Sequence, residues 1–184
     1  MMEKTGRQRY IIWIFAGLLV LGFLVFGWRQ FFGFNKNDEI FYISTVYRFF
    51  QGDAMLIDEW NNGQLFAFIT YPIFMLVRLF HNSNDGVVLI FRFLYLIFQA
   101  AVATYCFVRL KRFGWIRIFA ALCYFVTTPY NINALSYNTL VLGFVLLTLV
   151  TVASADEIKT RDAVLWGVFI AGGVLSNPYG VVLF

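Results

Sequence analysis

Charge is the scarcest commodity in this 184-residue sequence: 13% of residues are charged against 61% hydrophobic, with a mean hydropathy of +0.74. Soluble domains carry roughly 25% charged residues, so an ordinary soluble domain is excluded. Histidine occurs once, at His81, and both cysteines, Cys106 and Cys123, fall in apolar runs. A zinc site of histidine and cysteine therefore has no ligand set, and the cysteines read as small buried hydrophobes rather than a disulfide. No N-x-S/T sequon is present. The apolar runs lack the period-2 alternation of a membrane barrel, which leaves helices as the way to satisfy backbone groups in lipid. The net charge of +4 does not point to nucleic acid, because the basic residues are scattered at the ends of apolar segments, where they set topology.

What is present is a series of segments approaching the roughly 20 apolar residues that a spanning helix needs. The expected fold is all-α: a polytopic transmembrane bundle forming one module over residues 1–184. The first span, Tyr10 to about Trp28, follows Lys4, Arg7 and Arg9 and is bracketed by interfacial aromatics. It is too long for a signal h-region and lacks an A-x-A exit, so it reads as a retained anchor with a cytoplasmic N-terminus in the cell membrane. Four further spans are expected at roughly Gly86–Val108, Trp115–Thr128, Asn138–Ala153 and Ala163–Ser176, making about five. Ala100 with Thr104, and Gly167 with Ala171, have the spacing of small residues at close helix contacts, although small residues are also simply common in spans.

Between the first two spans lies the acidic part of the chain. Five of its ten acidic residues, Asp38, Glu39, Asp53, Asp58 and Glu59, fall between Asn35 and Trp60. Residues 39–51 have helical periodicity: Ile40, Ile43, Val46, Tyr47 and Phe50 fall on one side, Glu39, Ser44, Arg48 and Gln51 towards the other, and Gly52 supplies a stop. Such a helix lies flat in the interface. Gln64–Phe80, with Pro72 at its centre, is just long enough to cross. Were it to cross, Arg109, Lys111, Arg112 and Arg117 would face outside, against the positive-inside rule. It is therefore expected as a re-entrant or membrane-parallel helix, and residues 29–85 as an extracytoplasmic loop. Val181–Phe184 opens a further apolar segment and stops after one turn, so the chain is expected to be the N-terminal part of a longer protein.

Three features could carry chemistry. Asp38 and Glu39 either favour the helix dipole at a membrane boundary or supply a general base whose pKa the interface raises. Asp53 and Asp58–Glu59 could add sugar contacts, or carboxylates for a hard divalent cation such as Mg or Mn, although the spacing matches no dedicated metal loop. Arg92, about two turns into a span, is costly in lipid; it either clamps a phosphate, snorkels to the interface, or pairs with Asp85 seven residues earlier. The uncharged stretch Thr127–Asn138, TTPYNINALSYN, is either a polar turn or one wall of a pocket for a hydroxylated ligand, with Tyr137 and Asn138 in it.

The order of these elements carries a resemblance. An anchor span leads to an acidic dipeptide and an amphipathic helix ending in Gln51-Gly52-Asp53; Tyr71-Pro72-Ile73-Phe74 follows, then Arg92-Phe93-Leu94 opening a span. Next come Lys111-Arg112-Phe113-Gly114, Thr128-Pro129 and Tyr137-Asn138-Thr139-Leu140. Together these resemble the N-terminal module of the GT-C glycosyltransferases, especially the protein O-mannosyltransferases and the lipid A aminoarabinose transferase. The resemblance implies that Asp38 is the catalytic base and that a polyprenyl-phosphate-linked sugar is the donor; on that footing Glu39 and Asp53 are expected to orient substrate and Arg92 to contact the donor phosphate. Tyr137 and Asn138 would line the pocket. The sequence departs from the pattern in carrying Asn138 where members often have Asp, and a single Pro72 where they have a Pro-Pro pair. A transporter or flippase fragment, or a non-catalytic membrane scaffold, is the alternative from another class.

Overall fold

The computed structural model describes residues 2–33, 38–58, 62–157 and 159–183. The described residues are predominantly helical, with no strand among them. Among the described residues seven α-helices follow in order: α1 Met2–Arg29, α2 Asp38–Gln51, α3 Ala67–Phe80, α4 Val87–Arg109, α5 Ile116–Val126, α6 Tyr137–Ser154 and α7 Thr160–Ser176. Among the described residues, four helical stretches are long and apolar enough to cross a membrane: Gln8–Arg29, Gly63–Phe80, Val87–Arg109 and Tyr137–Ser154. The architecture is that of a helical membrane bundle.

Two of the five expected spans are short helices, and Gly63–Phe80 is a long one. Helix α5 has 11 residues, about 16 Å of rise against a hydrocarbon core of about 30 Å. It begins after Gly114, at φ 57°, and ends where Pro129 pushes Thr128 into extended backbone at φ −119°, ψ 100°. Helix α7, at 17 residues, rises about 25 Å; both segments nevertheless carry the chain between the two ends, from Arg109 to Asn133 at Glu39 and from Asp162 to Gly180 beside Val141.

The second difference concerns Gly63–Phe80, which has the length of a span but does not carry the chain from one end of the bundle to the other. Phe15 of α1 stacks on Phe107 of α4 with ring centroids 3.9 Å apart. At the other extremity, Arg92 of α4 donates to the carbonyls of Gln30 and Gly33, just past α1. Helices α1 and α4 are therefore antiparallel, and residues 34–86 leave and return at the same end. A single crossing by α3 would put those ends apart, and α2, with 14 residues, is too short to supply a second. Helix α3 packs instead over that end, with Phe74 against Phe91 of α4 and against Tyr47 and Phe50 of α2.

Two cores result. One, holding Ile11, Phe15, Val102, Phe107, Ile118, Phe125 and Leu147, joins α1, α4, α5 and α6. The other, holding Tyr42, Val46, Phe66, Phe74, Phe91, Ile132 and Leu140, fastens α2 and α3 across the first turns of α4 and α6. The glycines that permit close approach are Gly22, Gly143 and Gly172, each meeting a phenylalanine ring. Gly167, expected at a helix contact, has nothing within 4 Å of where a Cβ would stand, and Thr104 is exposed. Cys106 is buried as expected, whereas Cys123 faces outwards from α5. At the far end Arg109 pairs with Asp162 at 2.7 Å and Arg112 with Asp156 at 2.8 Å, tying the α6–α7 connection to the end of α4.

Candidate functional site

The site is built on the first turn of α2. Asp38 opens the helix and is exposed, while Glu39 beside it is 1% exposed. The face that α2 buries comprises Glu39, Tyr42, Ile43, Thr45 and Val46, so Glu39 lies on the buried side rather than on the polar side expected from periodicity. Charge explains why. Glu39 Oε2 accepts from Arg92 Nε at 2.7 Å and lies 2.6 Å from Arg92 Nη2, and Glu39 Oε1 accepts the backbone N–H of Asn133 at 2.9 Å. Arg92 spends its other donors on the carbonyl of Gln30 at 2.7 Å and that of Gly33 at 2.8 Å.

A buried charge is tolerated only when paired and hydrogen-bonded, and here both partners are. The pair ties together the end of α1, the start of α2, the second turn of α4 and the α5–α6 loop. This corrects one expectation. Arg92 pairs with Glu39, not with Asp85, which accepts instead from Ser83 Oγ at 3.0 Å. Glu39 has both oxygens engaged beneath the surface, one on Arg92 and one on the Asn133 N–H. Arg92 still forms part of the wall of a cavity of about 590 Å³, together with Gln30, Gly33 and Leu89.

One turn along α2 from Asp38, on the same side, stands Tyr42, 5% exposed. Its ring packs edge-on to Tyr137, centroids 5.3 Å apart, and to Phe66. Tyr137 and Asn138 open α6 directly behind this ring contact. Burial raises the Tyr42 phenol well above its usual range; the Tyr137 hydroxyl and the Asp38 charge add to this, and Asn138 opposes it. Tyr42 therefore stays a neutral donor. The start of α2 and the loop before α6 do meet, through the Asn133 N–H on Glu39 and the Tyr42–Tyr137 ring contact, with Asp38 one turn from Tyr42.

Tyr137 and Asn138 owe their position to the N-cap of α6. Ser136 Oγ accepts the Thr139 N–H at 3.2 Å, while Thr139 Oγ1 accepts the Ser136 N–H at 2.8 Å. This reciprocal box is buried. Tyr130 and Asn131, in the loop before it, hold left-handed backbone at φ 53° and 58°, and Arg29 donates to Asn131 Oδ1 at 3.2 Å.

Asp53 is not brought to the site. It sits past the far end of α2, paired with Arg48 at 2.6 Å, about 20 Å of helix rise from Asp38. Asp58 is also spoken for, accepting the Ala54 N–H at 2.6 Å; Glu59 and Trp60 lie outside the described residues. The carboxylates expected to suit a divalent cation do not gather: no group of three His, Cys, Asp or Glu forms among the described residues. The reading from sequence passed over Tyr42, Asn133 and Gln30. Only Tyr42 had a signal, its i+4 spacing from Asp38; the other two contribute backbone groups. A scan against protein-family models and comparisons with curated proteins and with solved structures find no match to this chain.

Proposed function

We propose that this chain is a GT-C-type membrane glycosyltransferase, or its N-terminal module, moving a sugar from a polyprenyl-phosphate donor to an acceptor at the extracytoplasmic face of the cell membrane. The N-terminus is then cytoplasmic. The observation that carries this reading is the division of labour in the acidic pair. Glu39 is locked to Arg92, and Asp38 is left exposed beside a cluster of neutral hydroxyl and amide groups.

In this mechanism the Asp38 carboxylate takes the proton from an acceptor hydroxyl or amine as that group attacks the anomeric carbon. The bond from that carbon to the phosphate oxygen breaks, and polyprenyl phosphate leaves with the electron pair. Tyr42, Tyr137 and Asn138 offer hydrogen bonds to sugar hydroxyls, and the Arg92 charge in the cavity wall favours the departing anion. A transport reading has less support, because the buried ion pair lies at one end of the bundle and not near the midplane where transport sites sit.

The test is transfer of radiolabelled sugar from polyprenyl phosphate on membranes carrying the full-length protein. Losing a general base costs roughly 10²–10⁴-fold in rate. Asp38→Asn is expected to lose transfer on that scale with expression retained, since Asp38 is exposed and its loss breaks no buried contact. Wild-type transfer rates in Asp38→Asn reject the assignment.

A further inference from the structure

On the opposite half of α2 from Asp38, a groove of about 400 Å³ runs between α2, α3 and the α3–α4 loop. Its polar end is Arg78, Asn82 and Asn84, and its apolar wall is Phe50, Met75 and Leu79. A smaller pocket of about 130 Å³ shares Tyr47, Arg78 and Asn84 with it and continues over Ile43 and Val87.

Arg78 is the feature to explain. Its guanidinium lies 4.9 Å from the Phe74 ring centroid, 5.3 Å from Tyr47 and 5.9 Å from Phe50. Nη1 donates to the Ser83 carbonyl at 2.6 Å and Nη2 to Asn84 Oδ1, while Nε is buried with no acceptor. Every one of these partners is neutral. None of the described carboxylates forms an ion pair with Arg78: Glu39 pairs with Arg92, Asp53 with Arg48, Asp58 accepts the Ala54 N–H, and Asp85, in the same loop, accepts from Ser83 Oγ. Arg78 thus has hydrogen bonds but no counter-ion among the described residues. Because Asn84 turns its Oδ1 to Arg78, its amide N–H groups are left to donate elsewhere. The groove also opens onto the outward face of α3, where Leu79 is 75% and Phe80 85% exposed.

We infer that this groove binds an anionic phospholipid of the surrounding leaflet, its headgroup phosphate against Arg78, Asn82 and Asn84 and an acyl chain along Met75 and Leu79. A cation with amide donors at one end and an apolar wall continuous with the lipid-facing surface suit an anion attached to a chain. A zwitterionic lipid presents its phosphate with a choline cation beside it, which the Arg78 charge repels. The inference does not depend on Asp38 being a base.

Native mass spectrometry of the full chain in detergent, with phosphatidylglycerol or phosphatidylcholine of identical chains, tests it. Phosphatidylglycerol should be retained on the order of tenfold better, a difference of about 1.4 kcal/mol. Arg78→Met and Asn82→Asp should both abolish that preference. Asn82 is exposed, so Asn82→Asp keeps the fold where Arg78→Met loses its bonds to the loop. Equal retention of the two lipids by the wild type, or a preference surviving in Asn82→Asp, overturns the inference. Displacement of phosphatidylglycerol by equimolar inorganic phosphate reduces the site to a phosphate site, and preferential uptake of polyprenyl phosphate assigns it to a carrier lipid; either result overturns the phospholipid assignment.

Discussion

Replacing Glu39 by glutamine keeps the size of the side chain and an acceptor for the Asn133 N–H, and removes only the charge facing Arg92. Opposite unit charges about 4 Å apart interact by ~4 kcal/mol at an effective dielectric near 20. Breaking a buried pair by neutralising one partner costs roughly 3–5 kcal/mol, and Glu39→Gln should fall at the lower end because its other bond survives. Arg92→Met should cost more. It strands Glu39 and also empties the Gln30 and Gly33 carbonyls, each of which loses a bond to a charged donor worth about 1.5–3 kcal/mol. The double variant should be less damaged than the sum of the singles, with a coupling of up to about 3 kcal/mol. Reversible unfolding in mixed detergent micelles, followed by far-UV circular dichroism, measures all four corners of the cycle. Additive costs, with a coupling below ~0.5 kcal/mol, would refute the claim that this pair holds α1, α2 and α4 together.

Other outcomes follow from the same contacts. Gly143→Ala would place a Cβ 2.5 Å from Phe98 Cε1 and should cost about 1–3 kcal/mol by overpacking; Gly167→Ala, in open space, should be neutral or stabilising by up to ~1 kcal/mol, measured in the same unfolding assay. Ser136→Ala removes the α6 cap and should cost about 1 kcal/mol, with sugar transfer falling as Tyr137 and Asn138 lose their anchor. The Tyr42 phenol is raised in the fold, so up to pH 10 it is protonated in both folded and unfolded chains. Above that the unfolded chain ionises first, and Tyr42 contributes a loss of stability of up to ~1.4 kcal/mol per pH unit until the folded phenol also titrates. Tyr42→Phe should flatten that part of the alkaline profile, and an unchanged slope would contradict the burial of the hydroxyl.

Where the sequence was legible, the reason lies in local chemistry. Long apolar runs at low charge leave the chain little choice but helices, and the ends of α1, α4 and α6 follow from basic and polar residues that cannot enter the apolar interior. The return of residues 34–86 to one end was also readable, since placing Arg109, Lys111 and Arg112 on the same side as Lys159 and Arg161 leaves α3 no net crossing. Helix α2 was visible as an element but its buried face was not. Periodicity ranks glutamate as polar, and it is the Arg92 side chain and the Asn133 N–H, 53 and 94 residues later, that make it favourable to bury.

The sequence by itself determined the class of molecule, the order of its helices and the concentration of carboxylates ahead of the second long helix, because composition and charge act over neighbouring residues. Tertiary structure alone decided which carboxylate is free. Asp38 and Glu39 are adjacent and chemically alike, and what separates them is a cation and a backbone N–H delivered from distant parts of the chain. Asp53 was sent elsewhere for the same reason: Arg48, within its own turn, reaches it before any partner near Asp38 can.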